Sequence, residues 1–148
     1  MKKMKQRRAY VPGFTLIEAL FATMLIGLVI AALAAASGAF TMANGYGVDL
    51  STAEFLIEEI RGRTANVDFD TMLATYDGQT FSPPVDLTGA AMSDFSGFSQ
   101  QVQIDYVESG NFANTVTGPT DFVRVTVTVT KAGTPISNTS WIRARLIE

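Results

Sequence analysis

One acidic side chain lies at the edge of an apolar stretch, where burying its charge would cost free energy. Glu18 precedes a long apolar stretch, and no charged residue occurs between Ala19 and Val48. A carboxylate at the centre of a bilayer costs on the order of 2.5–3.5 kcal/mol, less near the interface, and such a group usually has a partner. Glu18 is therefore the residue of this chain for which we expect a charge-pairing function.

The other residue types argue against catalysis. The chain contains no histidine and no cysteine, so it lacks the usual general base, the Ser-His and Cys-His nucleophile pairs and the possibility of a disulfide. Asp68, Asp70 and Asp77 resemble a calcium loop only faintly, because Met72 and Ala74 take positions where an EF-hand has oxygen ligands. We interpret these aspartates as turn residues and expect no enzyme activity, no metal and no cofactor.

Positive charge is concentrated at the N-terminus. Residues 1–13 hold five of the eleven basic residues, and without them six basic residues face fourteen acidic ones, a net charge of −8. An acidic chain is not expected to bind nucleic acid through bulk electrostatics. A basic flank beside an apolar stretch stays in the cytoplasm, which predicts that the C-terminal part lies outside it.

The apolar stretch is long enough to cross a membrane. The 22 residues from Ala19 to Phe40 are apolar or small almost throughout, and a helix of this length spans about 33 Å. A secretory signal peptide would have a shorter apolar region of about 7–15 residues, although Ala34-Ala35-Ala36 is a tolerable cleavage site. An uncleaved membrane anchor is the other alternative.

The N-terminal sequence resembles the prepilin signal of type IV pilins and pseudopilins. The resemblance depends on a basic leader that ends in Gly13, on the following residues Phe14-Thr15-Leu16-Ile17-Glu18, and on the apolar helix after them. Gly27 falls where many members of the family have a glycine. No proline occurs near Ala35, where many major pilins have one, so the resemblance is closest to a minor pilin or a pseudopilin.

The resemblance implies two roles for these residues. A membrane aspartyl peptidase, the prepilin peptidase, would cut between Gly13 and Phe14 and methylate the new N-terminus. Glu18 and the amine of Phe14 would then act in filament assembly, because a carboxylate and an amine of neighbouring subunits can neutralise each other and fix the register between helices. The simpler alternative is that Glu18 only extends its carboxylate to the lipid head groups.

The expected function is therefore that of a structural subunit in a type IV pilus-like filament. Its partners would be the peptidase, other pilin or pseudopilin subunits, the inner-membrane assembly platform and membrane lipid. It would lie in the cytoplasmic membrane with a single span and then in the pilus or pseudopilus. A type II secretion or competence pseudopilin is the close alternative, and a membrane-anchored extracytoplasmic binding domain that never polymerises is the distant one.

The predicted fold class is α+β. We expect a basic leader over 1–13, a transmembrane or filament-core helix over 14–43, the outer half of the same helix over 44–65, and a small globular domain over 66–148. Because three glycines and an asparagine cluster between Gly38 and Gly47, we also expect a break or flexible joint in the helix between Asn44 and Asp49. Ser51 and Thr52 would then cap the restarted helix.

The outer half of the helix is expected to pack on a three-stranded antiparallel sheet. Its core-facing stripe recurs at helical spacing, at Ala53, Leu56, Ile57 and Ile60. Alternation with period two predicts strands near 100–106, over 122–130 and at the C-terminus. The predicted inward residues of these strands are Val102, Ile104, Tyr106, Val123, Val125, Val127, Val129, Ile142, Ala144 and Leu146.

Overall fold

The computed structural model describes residues 13–146, so most of the predicted leader lies outside the described residues. Residues 13–146 fold into two helices and five strands, and the predicted α+β class is confirmed. A short 3-10 turn covers Ser93–Phe95. The elements in chain order are α1 (Leu16–Ala65), α2 (Phe69–Tyr76), β1 (Thr80–Phe81), β2 (Phe98–Glu108), β3 (Asn111–Thr115), β4 (Phe122–Lys131) and β5 (Thr134–Ala144).

Helix α1 continues for 50 residues without interruption, so the expected break is wrong. The chain nevertheless divides into two compact units between Asn44 and Gly45. Ser51 and Thr52 do not cap a new helix, because their hydroxyl groups donate to the carbonyls of Gly47 and Val48, each at 2.9 Å. Each glycine in a helix costs about 1 kcal/mol relative to alanine. The hydrogen bonds of α1 nevertheless continue through these positions.

The C-terminal unit contains an antiparallel sheet of five strands, not three. The strand order is β1-β2-β4-β5, and β3 pairs with the far end of β2. The two additional strands are only two and five residues long. They lie in segments that look like loops in the sequence, because strands so short show no period-two pattern of their own.

One hydrophobic core lies between the second half of α1, helix α2 and the inner face of the sheet. The predicted stripe of α1 is confirmed, and the inner side chains of β4 are completely buried. Each fully buried aliphatic side chain contributes about 1.5–3 kcal/mol. The buried apolar residues of this core are Ala53, Leu56, Ile57, Ile60, Phe69, Met72, Tyr76, Val85, Val102, Ile104, Val123, Val125, Val127 and Val129.

The prediction for the two faces of β5 is wrong. Val129 pairs with Ser137 although Thr130 pairs with Pro135, so Ile136 is an extra residue in β5. A single extra residue moves every following side chain to the opposite face. Ile142 and Ala144, expected inward, are exposed, as is Leu146 beyond the strand.

The reversed register places two other side chains of β5 on the inner face. Trp141, opposite Val125, packs against the core. Arg143 donates hydrogen bonds to the carbonyls of Thr64 and Val67, the latter at 2.7 Å. Because the last carbonyls of a helix have no partner within it, Arg143 ties the C-terminal end of α1 to the sheet.

A buried glutamine connects the loop before β2 to helix α1. Gln100 is fully buried, and its Oε1 accepts a hydrogen bond from the Val85 N–H at 2.8 Å. Its Nε2 donates to the carbonyl of Leu56 at 2.8 Å and to that of Val85 at 3.2 Å. One side chain thus joins three parts of the C-terminal unit.

The same loop is closed by one carboxylate. Oδ1 of Asp86 accepts hydrogen bonds from the Thr88 hydroxyl at 2.7 Å, the Thr88 N–H at 2.8 Å and the Ala90 N–H at 2.9 Å. The Thr88 hydroxyl, followed by the Ala90 N–H, lowers the pKa of Asp86 below its ordinary value. The ionised carboxylate is therefore the form that holds the loop.

Asp86→Ala is expected to lower the free energy of unfolding at about pH 6 and to lower it less in acid. A carboxyl group with a lowered folded-state pKa contributes stability above its unfolded pKa of about 3.9 and loses it as the pH falls through the folded value. Denaturant unfolding of both chains, followed by the fluorescence of Trp141, measures the difference at about pH 6 and about pH 2.5. A difference that does not change with pH would contradict this assignment.

Candidate functional site

The first turn of α1 contains a reciprocal set of hydrogen bonds between Thr15 and Glu18. Oε2 of Glu18 accepts from the Thr15 backbone N–H at 2.9 Å and from the Thr15 hydroxyl at 2.7 Å. The Glu18 N–H donates to the Thr15 hydroxyl oxygen at 3.3 Å. This arrangement is a capping box, which satisfies backbone N–H groups that the start of a helix leaves unpaired.

Thr15 is a capping residue, a role that was not predicted for it. The spacing of Thr15 and Glu18 matches the Thr-x-x-Glu pattern of a capping box, so the signal was present. The cap also explains why α1 begins at Leu16 and not at Phe14. Glu18 consequently has a structural role in the unprocessed chain in addition to the assembly role expected for it.

The capping box leaves the negative charge of Glu18 without a counter-ion among residues 13–146. Both groups that donate to the carboxylate are neutral, and none of the salt bridges of the described chain includes Glu18. The neighbouring side chains of Phe14 and Leu16 are apolar and more than 80% exposed. Within the described residues the charge of Glu18 is thus held by neutral hydrogen-bond donors alone.

The first half of α1 exposes apolar side chains around its whole circumference. Their exposed fractions lie between 54% for Val29 and 84% for Leu16. By length and composition this helix could cross a membrane. The exposed large apolar residues of this segment are Leu16, Ile17, Leu20, Phe21, Met24, Leu25, Ile26, Leu28, Val29, Ile30, Leu33 and Phe40.

The predicted cleavage position lies in accessible, non-helical backbone. Gly13 and Phe14 precede the cap of α1, and both are exposed. A methyl group added at Gly13 would contact nothing within 4 Å in the chain. Proteolysis favours exposed backbone outside regular structure, so the peptide bond between these residues is well placed for a peptidase.

Two of the aspartates considered as calcium ligands have other partners. Asp68 caps α2 through a hydrogen bond from the Thr71 N–H at 3.0 Å, and the hydroxyl and N–H of Thr71 lower the pKa of Asp68. Asp70 forms two hydrogen bonds with Arg145, at 2.6 and 2.8 Å, and this carboxylate raises the pKa of the guanidinium. Both side chains hold helix α2 in place.

The third aspartate, Asp77, supports the sheet. Its Oδ1 accepts a hydrogen bond from the backbone N–H of Ile104 at 2.9 Å. Within residues 13–146 no group of three or more histidine, cysteine, aspartate or glutamate side chains is arranged to hold a metal ion. The three aspartates therefore have structural roles in the described part of the chain.

Comparisons with known proteins identify no relative of this chain: no family model, no curated protein and no solved structure matches it. The residues at the start of α1 and the exposed apolar surface that follows them therefore provide the basis for assigning a function.

Proposed function

We propose that the chain is a structural subunit, a minor pilin or pseudopilin, of a type IV pilus-like filament or of the pseudopilus of a secretion or competence system. One observation carries the proposal. Gly13, Phe14 and Glu18 occur in the order and spacing of a prepilin signal, at the start of a 50-residue helix whose first half exposes apolar side chains on all sides.

Cleavage after Gly13 would give Glu18 a charged partner that residues 13–146 do not provide. The cut frees the amine of Phe14, which carries a positive charge near neutral pH. When two such helices pack through their apolar surfaces, the amine of one subunit can neutralise the carboxylate of its neighbour. A buried pair of this kind fixes the register, because a shifted neighbour would leave a charge unpaired at a cost of about 3–5 kcal/mol.

The C-terminal unit would provide the part of the subunit outside the membrane. Its core joins the second half of α1 to the sheet, so the folded domain is directly continuous with the helix that enters the filament. The acidic character of the chain without its leader argues against nucleic acid as a partner. Neighbouring subunits, the inner-membrane assembly platform and lipid would be the partners of such a subunit.

The proposal is tested by the N-terminus of the exported protein. We expect mass spectrometry of the wild-type chain to find a methylated Phe14 as the first residue. Gly13→Leu places a bulky side chain at the scissile bond and is expected to leave the leader attached. Gly27→Leu is the matched control inside the span and should be processed normally.

Two results would contradict the proposal. A mature protein that retains Met1 would favour an uncleaved anchor. A product that lacks the whole apolar segment would favour a secretory signal peptide.

A further inference from the structure

The outer face of the sheet carries a groove between β3 and β5. Helix α2 and the second half of α1 pack on the inner face, so the outer face is not part of the hydrophobic core. β3 lies close to β4 here, because the Arg124 guanidinium donates a hydrogen bond to the Phe112 carbonyl and the ring centroids of Phe112 and Phe122 are 5.2 Å apart. The groove has a volume of about 500 Å³ and is lined by Ala113, Arg124, Thr126, Asn138, Thr139 and Ser140.

The lining of the groove is rich in hydrogen-bonding groups and contains no carboxylate. Thr126 of β4 and Ser140 of β5 are direct cross-strand neighbours on the outer face. Asn138 lies two residues before Ser140 on the same face of β5, and both side chains are exposed. Hydroxyl and amide groups can donate as well as accept hydrogen bonds, so this surface can bind a ligand that does both.

Arg124 supplies a positive charge at this groove. Its guanidinium has five N–H donors, and none of the salt bridges within residues 13–146 includes it. Asp105 is its cross-strand neighbour on β2, on the side away from β5, and the Oδ1 of this carboxylate accepts a hydrogen bond from Gln103 at 3.3 Å. Acidic residues outnumber basic ones in the chain, yet no carboxylate of the described residues forms an ion pair with Arg124.

Charge and lining together favour a small anion that also carries hydroxyl groups. A planar guanidinium binds a carboxylate through two parallel hydrogen bonds. Ala113 is the only apolar residue of the lining, so the groove does not suit an apolar ligand or the apolar side chains of a peptide. Its volume lies within the range of about 300–1,000 Å³ that is typical of small-molecule sites.

We infer that this groove binds an acidic sugar, a uronic acid either free or within an acidic polysaccharide. The carboxylate of the sugar is held by Arg124, and its hydroxyl groups are held by Thr126, Asn138 and Ser140. The inference goes beyond the proposed function, which assigns no ligand to the C-terminal unit.

The probe for this inference is the disaccharide of galacturonic acid, and the neutral disaccharide of galactose is its control. Each is added to the purified full chain in detergent micelles, and the backbone N–H signals of β4 and β5 are followed by NMR. We expect the acidic disaccharide to cause saturable shifts at the residues that line the groove. The neutral disaccharide should cause none, because it offers no charge to Arg124.

Arg124→Gln removes the charge at the groove and should weaken binding of the acidic disaccharide about tenfold. Arg61→Gln is the matched control, because it removes the same charge from an exposed ion pair with Glu58 on α1. It should leave the affinity unchanged. Equal weakening by both variants would show that overall charge attracts the disaccharide and would overturn the inference.

Thr126→Val tests the hydroxyl groups without a change of charge. Valine keeps the shape of the side chain and favours a strand, and loss of one hydrogen bond should weaken binding about threefold. Thr128→Val makes the same change on the same face of β4 but outside the groove, and should have no effect.

Three further results would overturn the inference: no saturable shift with the acidic disaccharide, equal shifts with the neutral one, or equal effects of the two valine variants. None of these results depends on cleavage at Gly13. Failure of the inference is thus distinguishable from failure of the proposed function.

Discussion

Glu18→Gln is expected to lower incorporation of the subunit into filaments about tenfold or more, while the chain is still processed and inserted in the membrane. The substitution removes the charge that would pair with the amine of a neighbouring subunit, and an unpaired buried amine costs several kcal/mol. The glutamine can still accept a hydrogen bond from the Thr15 N–H, because a capping box works with glutamate or glutamine. The start of the helix is therefore preserved.

Thr15→Ala is the matched control for this prediction. It removes the hydroxyl that bonds to Glu18 but keeps the carboxylate, and loss of such a cap costs about 1 kcal/mol. We expect it to reduce incorporation only slightly. Glu18→Ala removes both the cap and the charge and should be no less severe than Glu18→Gln.

The measurement compares the amount of each variant in sheared filaments with the amount in the membrane fraction. Mass spectrometry of the membrane fraction verifies that cleavage after Gly13 still occurs. Normal incorporation of Glu18→Gln would contradict the proposed charge pair. Normal incorporation of Glu18→Gln together with equal losses for Glu18→Ala and Thr15→Ala would assign Glu18 to the helix cap alone.

The sequence was sufficient to predict the features that depend on local periodicity. The stripe of Ala53, Leu56, Ile57 and Ile60 follows the helical repeat, and the valines of β4 follow the strand repeat; both sets are buried as predicted. These patterns are reliable because one face of each element contacts the core along its whole length. The α+β class follows from the order of the same patterns.

Which residues of β5 face the core could not be predicted from the pattern of this strand alone. Its orientation depends on the bulge at Ile136, which is a property of the pairing between β4 and β5 and not of β5 itself. The pattern of β5 alone therefore assigns Ile142 and Ala144 to the wrong face. The role of Arg143 at the end of α1 depends on contacts between residues more than 70 positions apart, which a local pattern does not reveal.

The candidate site could be proposed from the sequence because its residues are close together in it. Gly13, Phe14 and Glu18 lie within one short motif, and the structure leaves the bond between the first two exposed. The capping role of Thr15 follows from the same spacing. The pairing of Glu18 with another subunit stays a prediction.

Gln100→Leu is expected to lower the free energy of unfolding by about 3 kcal/mol, since a buried backbone group without a partner costs about 1–3 kcal/mol. The substitution leaves the N–H and the carbonyl of Val85 without their buried partner. The carbonyl of Leu56 loses a bond as well. Gln100 is a polar residue on an apolar face of β2, because its neighbours on that face are Val102 and Ile104.

Gln103→Leu is the matched control in the same strand, because Gln103 is exposed on the opposite face. It should change the free energy of unfolding by no more than about 0.5 kcal/mol, as is usual for surface substitutions. Urea unfolding of the full chain in detergent micelles, followed by the fluorescence of the single tryptophan, Trp141, measures both variants. Trp141 packs against the same core as the loop that Gln100 holds. Its emission therefore reports the unfolding of this core directly. Equal effects of the two substitutions would show that the buried hydrogen bonds of Gln100 do not fix the loop to α1.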